Sequence, residues 1–287
     1  MSLTTSLLTL SYNLRRLCAE PLGALGLILV SLVLFSAIFA NFIIPHDPYA
    51  LDVLNRLKPP SLEHWMGTDQ LGRDIFSRVL LGGQVAMKVA LASIGLALAA
   101  GLLLGMLAGF GPRWLDNIIL ILFDTVRSFP AIIFALALVT LTGPSVETII
   151  LVVVITSIPI YGRVVRTQTQ ALKNQEFILA ERSMGASLSR ILGLHILPNV
   201  IGPLLILASM DIPVVITIEA GLSFLGLGVQ PPTPSWGSIL NDGYSFIRNT
   251  PWPIIAGGIP LVITTLGFTF LGESLRDVFD PKLRGDL

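Results

Sequence analysis

The chain has 287 residues, 53% of them hydrophobic and 13% charged, with a mean hydropathy of +0.80, where an ordinary soluble domain carries roughly 25% charged residues. So little charge cannot clothe a water-facing surface. Lys plus Arg equal Asp plus Glu at 18 each, so no basic excess recommends nucleic acid as a partner, and the single cysteine, Cys18, excludes an internal disulfide.

From the N-terminus, positive charge at Arg15 and Arg16 precedes an apolar run over 22–44. The run is too long for a signal-peptide core and has no A-x-A site, so it reads as an uncleaved first span. A bilayer core of about 30 Å takes about 20 mostly apolar residues per helix. Segments 22–44, 86–110, 116–142, 146–165, 199–224 and 253–273 meet that length. The fold class expected is an all-α membrane protein with about six transmembrane helices. Asp124 and Arg127 lie inside the third segment, and Asp211 and Glu219 inside the fifth. Charges at such depth are expensive, which makes these residues candidates for a translocation path. Asp124 and Arg127, three apart on one helical face, are alternatively expected to pair with each other.

Three connections are long. Residues 45–85 start with turn signals, Pro45-His46-Asp47-Pro48 and Pro59-Pro60, and end with Leu71, Ile75, Val79 and Leu80 near helical spacing. This predicts an amphipathic helix over 69–81 on the outer membrane face. Residues 166–198 form a polar, helix-like inner loop, and residues 225–252 an outer loop rich in Gly and Pro. Trp236 and Trp252 stand where aromatic rings favour the interface. Placing the N-terminus in the cytoplasm puts Arg113, Arg163, Arg166, Lys173, Arg182, Arg190, Arg276, Lys282 and Arg284 inside with Arg15 and Arg16. Arg56, Lys58, Arg73, Arg78, Lys88 and Arg248 fall outside. The asymmetry favours both termini in the cytoplasm. The chain reads as an arm, first span and outer amphipathic segment over 1–85, then a core of five spans with the inner loop over 86–287.

Phosphate-binding loops need Gly-Lys-Ser/Thr, and Lys58, Lys88, Lys173 and Lys282 follow Leu, Met, Leu and Pro. No nucleotide is expected on this chain by that route. His46, His64 and His195 all fall in loops, so neither a Ser/His dyad nor a metal site is expected at membrane depth. With hydrolytic and metal chemistry set aside, a transport component powered by another protein remains. In the inner loop, Leu179-Ala180-Glu181-Arg182-Ser183-Met184-Gly185-Ala186-Ser187 precedes His195-Ile196-Leu197-Pro198. A short helix ending at Gly185 turns sharply there, and Pro198 is expected to stop the run and restart helix at the next span.

This loop resembles the "EAA" loop of ABC importer permeases, in which a Glu-Ala-Ala triplet precedes a glycine and a later Leu-Pro. Gly185 and Pro198 keep the spacing, while the triplet reads Leu179-Ala180-Glu181. Further blocks resemble the dipeptide, oligopeptide and nickel importer family. They are Gly67-Thr68-Asp69-Gln70-Leu71-Gly72-Arg73-Asp74, Glu219-Ala220-Gly221-Leu222-Ser223-Phe224-Leu225-Gly226, Pro234-Ser235-Trp236-Gly237, and the tail Asp280-Pro281-Lys282-Leu283-Arg284. The long N-terminal arm is similar to its C-type permease subunit.

The resemblance implies a type I ABC importer transmembrane domain in the bacterial cytoplasmic membrane. Its partners would be a homologous second permease, two ATP-binding cassette subunits and an extracytoplasmic substrate-binding protein. ATP and Mg would sit on the partner subunits and no cofactor on this chain. Ala180, Glu181, Gly185, Ala186, Ser187, His195 and Pro198 would form the ATPase-coupling loop. Di- or oligopeptide is the substrate implied, with nickel as the alternative. A secondary transporter is disfavoured because no repeat relates residues 1–143 to 144–287.

Overall fold

The computed structural model describes residues 17–279, which are helical with no strand; Thr68 and Asp74 make a lone antiparallel bridge. The helices are α1 (Pro21–Ile43), α2 (Ile75–Phe110), α3 (Arg113–Arg127), α4 (Ala131–Thr142), α5 (Val146–Lys173), α6 (Glu176–Ser183), α7 (Leu197–Phe224), α8 (Trp236–Ser245) and α9 (Trp252–Phe279). Five of these are long and apolar enough to cross a membrane, counting α7 with the turns that lead into it from Leu188. The bent pair α3 and α4 makes a sixth if it is one span, in agreement with the hydropathy reading. Arg15, Arg16 and the tail motif at 280–284 lie outside the described residues.

Three local expectations are corrected. The segment read as the third span is not one straight helix, because α3 and α4 meet at 89°. Pro130 has no N–H to donate and drives the residue before it out of the helical region, so α3 ends at Arg127 and helix resumes at Ala131. The separate outer helix over 69–81 does not form. Residues 69–74 are turns, and helix starts at Ile75 and runs 36 residues into the second span. The apolar periodicity is real but faces protein: Ile75 and Val79 are buried with Ile239 and Ala256. Nor does Pro198 stop the chain, because helix is continuous over Leu188–Phe224, with Ile191–Ile196 wound as a π-helix. The wider turn has room for a ring that would clash with the carbonyl four residues back in an α-helix.

By compactness the chain divides into two units. In the unit made of Met1–Val89, Pro144–Val146 and Ser209–Leu287, α1 and α9 lie against each other through small residues. A Cβ added at Gly26 would stand 2.6 Å from Leu271 N, and one at Gly267 would stand 2.9 Å from Leu29 Cβ. Helices in lipid have no hydrophobic force between them, so this close van der Waals approach is what joins the pair. Trp236, expected at the membrane interface, is instead 3% exposed. Its indole lies on Gly82 and Gly83, and Nε1 donates to Val79 O at 2.9 Å. A capping box between Ser235 and Ser238 starts α8 there. Trp252 stays 38% exposed.

The second unit comprises Ala90–Gly143 and Glu147–Ala208. Gly101, Gly105 and Gly109, one helical turn apart on α2, face Tyr161, Gly162, Val165 and Thr169 of α5. Any side chain on that stripe would collide with the facing helix. Phe123 of α3 lies over Gly162 and shares a buried cluster with Ala108 and Ile119.

Candidate functional site

The loop over 166–198 folds as a capped knob. α5 does not stop at the membrane segment read from hydropathy; it carries on to Lys173, whose Nζ donates to the carbonyl of Phe110 at 2.8 Å. A cation on the last carbonyls of a helix favours the macrodipole and fixes the end of α2. Lys173 and Arg182 also stand over the Phe110 ring, at 5.3 and 5.6 Å. α6 is seated by Ile178, which is fully buried.

The end of α6 is a complete Schellman motif. Gly185 N–H donates to Arg182 O and Ala186 N–H to Glu181 O, both at 3.0 Å, with Gly185 at φ +82°. Glycine is demanded by the backbone rather than by packing, since an added Cβ would meet nothing within 4 Å. After the turn, Ser187 Oγ accepts from Arg190 N–H and restarts the helix.

Glu181 is the member of the expected set that gathers the others. Its Oε1 lies 3.4 Å from His195 Nε2 and its Oε2 lies 3.8 Å from Arg190 Nε. The carboxylate thus faces Arg190 and His195 across the turn at ion-pair distance, and His195 Nε2 has no hydrogen-bond partner among the described residues. Ala180, Gly185 and Ser187 are exposed, Ala186 and His195 are half-buried, and Pro198 is exposed on the following helix. Phe177, Leu179, Met184 and Leu188 are large apolar side chains left at least 45% exposed along this one short stretch. On a loop this polar, such a patch marks a protein contact.

The carboxylates of α3 find partners on α5. Arg166 grips Asp116 with Nε and Nη2, the latter at 2.7 Å, and Gln170 Nε2 adds a bond of 3.4 Å. Asp124 pairs with Arg163, and the expected pairing with Arg127 does not occur. Arg127 is exposed in the last turn of α3. No local signal identifies Arg163, 39 residues along the chain, as the partner. Asp211 is half-buried. Glu219 is fully buried: Oε1 accepts from Ser223 Oγ at 2.8 Å, while Oε2 has no partner among the described residues.

The Asp124–Arg163 pair is 69% and 42% exposed. If those side chains meet water, the double-mutant cycle of Asp124→Asn and Arg163→Met yields a coupling of about 0.2–1 kcal/mol in thermal unfolding of the purified protein. Arg127→Met leaves the midpoint unchanged. A coupling of several kcal/mol would place the pair in lipid instead.

In the other unit, the segment before α2 is held by a buried charge cluster. Asp69 accepts from Arg73 Nε at 2.6 Å and lies 3.5 Å from Arg78 Nε, while Arg78 Nη1 donates to Pro48 O at 3.1 Å. Arg73 also reaches Asp242 of α8 at 3.7 Å. This cluster fixes the turn from which α2 starts and the helix that Trp236 anchors.

Comparison with known proteins places the chain. A family model described as "Binding-protein-dependent transport system inner membrane component" matches residues 101–285, and one described as "N-terminal TM domain of oligopeptide transport permease C" matches residues 10–60. The dipeptide transport system permease protein DppC of Alkalihalophilus pseudofirmus is 38% identical over 270 residues, covering 94% of this chain and 89% of that protein. The oligopeptide transport system permease protein OppC of Bacillus subtilis is 38% identical over 269 residues, 94% and 88% of the two chains. The glutathione transport system permease protein GsiD of Escherichia coli O6:K15:H31 is 40% identical over 274 residues, 94% and 90%. Among solved structures, an inward-facing conformation of the MetNI methionine ABC transporter shares the fold at a TM-score of 0.57 and 18% identity. That match covers 71% of this chain and 97% of that one.

Proposed function

The chain belongs to the family of binding-protein-dependent transport system inner membrane components, and from that premise we propose that it is one of two related permease subunits of an ATP-driven importer of di- or oligopeptides. The observation that carries the reading is the knob at α6. It is a rigid, Schellman-capped helix with an exposed apolar patch, on a chain that has no phosphate-binding loop of its own.

Two ATP-binding cassette subunits, holding ATP and Mg, dock on the inner surface. One of them takes the patch around Phe177, Leu179, Met184 and Leu188. When ATP draws the cassettes together, the knob moves as a unit, because the hydrogen-bonded Schellman turn joins α6 to the helix that leads into α7, with Glu181 facing Arg190 and His195 across it. Helix is continuous from Leu188 to Phe224, so displacement of the knob is transmitted along a span rather than absorbed in a loop. An extracytoplasmic binding protein delivers substrate to the other side. All chemistry is done by partners, and this chain supplies the path and the lever.

Peptide as substrate is supported by the dipeptide, oligopeptide and glutathione transporters to which the chain is similar. In cells carrying the complete transporter, excess unlabelled tripeptide suppresses uptake of labelled tripeptide and excess nickel does not. The reverse pattern would make this a metal importer. Arg127 and Asp124 face the path in this reading, where the guanidinium attracts a peptide carboxylate. Both termini lie in the cytoplasm, supported by the Arg and Lys asymmetry. Single cysteines at Ser189 and Ser245, both exposed, in a background lacking Cys18, are then labelled from opposite sides by an impermeant reagent. Labelling from one side would break that topology.

A further inference from the structure

Two of the three histidines converge in the segment that leads into α2. The rings of His46 and His64 lie with centroids 4.8 Å apart. With Asp74 they form a set whose ligand atoms all fall within 4.8 Å of one another. Nothing in the transport reading uses these residues.

Their hydrogen bonds decide where the lone pairs are. His64 Nδ1 lies 2.9 Å from Asp74 Oδ1, and a carboxylate oxygen only accepts, so a proton on Nδ1 sits between the two; an ion held by both atoms takes its place and the proton leaves to solvent. His46 Nε2 lies 2.8 Å from the carbonyl of Glu63, also an acceptor, so Nε2 carries the proton and Nδ1 the lone pair. The His46 ring is therefore oriented by an acceptor on one nitrogen and left basic on the other, as metal-ligating histidines are. Asp74 is itself fixed. It caps α2, with Oδ2 accepting from Ser77 N–H at 2.8 Å and Ser77 Oγ at 2.7 Å, and its side chain is 1% exposed. The His64 side chain keeps 13% exposure, enough for an ion to reach it.

We propose that His46, His64 and Asp74 form a binding site for a divalent transition metal of the zinc class, which ties the segment before α2 to the first turn of that helix. Imidazole nitrogen with a carboxylate selects zinc-like ions over calcium and magnesium, which take oxygen. Nitrogen and oxygen ligands at about 2.1 Å from a tetrahedral ion stand about 3.4 Å from one another. Side-chain rotation thus has to close about 1.4 Å of the widest present gap. Solvent completes the coordination. The site draws on residues 46, 64 and 74, so an ion bound there cross-links a turn-rich segment and stabilises the folded state by mass action. This inference stands independently of what the chain transports.

The test uses the assembled transporter, purified without a polyhistidine tag and stripped with chelator. Titration with ZnCl2 is expected to show one site on this chain that raises the thermal midpoint. Titration of the stripped wild type with Co2+ is expected to give visible d–d absorption of nitrogen-ligated cobalt at one equivalent. His46→Phe and His64→Phe, which keep a ring in place, each weaken zinc binding at least about tenfold and abolish the thermal shift. The wild-type cobalt spectrum decides the matter if either variant folds poorly. Absence of both zinc binding and the cobalt band in the wild type would overturn the site. So would undiminished zinc binding in both well-folded variants, which would leave a metal-free histidine pair packed against the cap of α2.

Discussion

Gly185→Val is expected to lower peptide uptake by the complete transporter about tenfold or more while leaving the chain inserted and assembled. Gly185 holds φ at +82°, and the two hydrogen bonds that close the turn, to Arg182 O and Glu181 O, exist only with that backbone. An L-residue in the left-handed region costs about 1–2 kcal/mol, with a β-branched side chain at the upper end or beyond. Against a competing loop conformation, that is a factor of roughly 5–30 in the population of the formed turn. Packing does not contribute, because the added side chain points into open space. The defect is therefore specific to the direction in which α6 is presented. Gly185→Asn, which tolerates the same φ, should keep most of the activity. Uptake and substrate-stimulated ATPase, measured on both variants at matched complex yield, separate the two outcomes. Wild-type rates for both activities in Gly185→Val would remove the knob from the mechanism.

Much of this fold was legible because the bilayer imposes a simple constraint. Spans must be about 20 residues of apolar helix, and runs such as Pro21–Ile43 announce themselves by composition. Gly185 was legible for a similar reason, since only a few backbone geometries demand glycine at a helix end. What escaped the sequence was settled by contacts distant along the chain. Val79 and Ile75 have the spacing of an interfacial helix, and the return of α8 and α9 from more than 150 residues away covers them with protein. Trp236 looks like a belt residue until its Nε1 finds the Val79 carbonyl. Asp124 has a cation three residues ahead, yet Arg163 on the facing helix claims it. Pro198 carries the usual signal of a helix end, but a π-turn absorbs it without breaking the axis. For all but Pro198, whose outcome the adjacent π-turn decides, the local rule held and the tertiary partner decided which of its allowed outcomes was realised.

The α6 knob shows the same division. Glycine, the polar loop and the exposed apolar side chains lie within residues 176–198, so the knob could be read as a unit. The approach of Glu181 to His195 and Arg190 was not predicted, although all three residues are close in sequence. Their convergence depends on the Schellman turn bringing α6 back alongside the π-helical segment. The carboxylate in the third place of the altered triplet is thus turned inward across that turn.

Withdrawal of ATP carries the largest effect expected of all, complete loss of accumulation. If energy enters this chain only through partner subunits at the α6 knob, nothing in it responds to an ion gradient. Proteoliposomes would hold this chain, its partner permease and the two cassette subunits, with the binding protein and labelled tripeptide on the receiving side. With MgATP on the cassette side and all ion gradients dissipated, tripeptide accumulates above its external concentration. Omitting ATP, Mg or this chain abolishes accumulation. Accumulation that persists without ATP and follows a proton or sodium gradient would contradict the account and make the chain part of a secondary transporter.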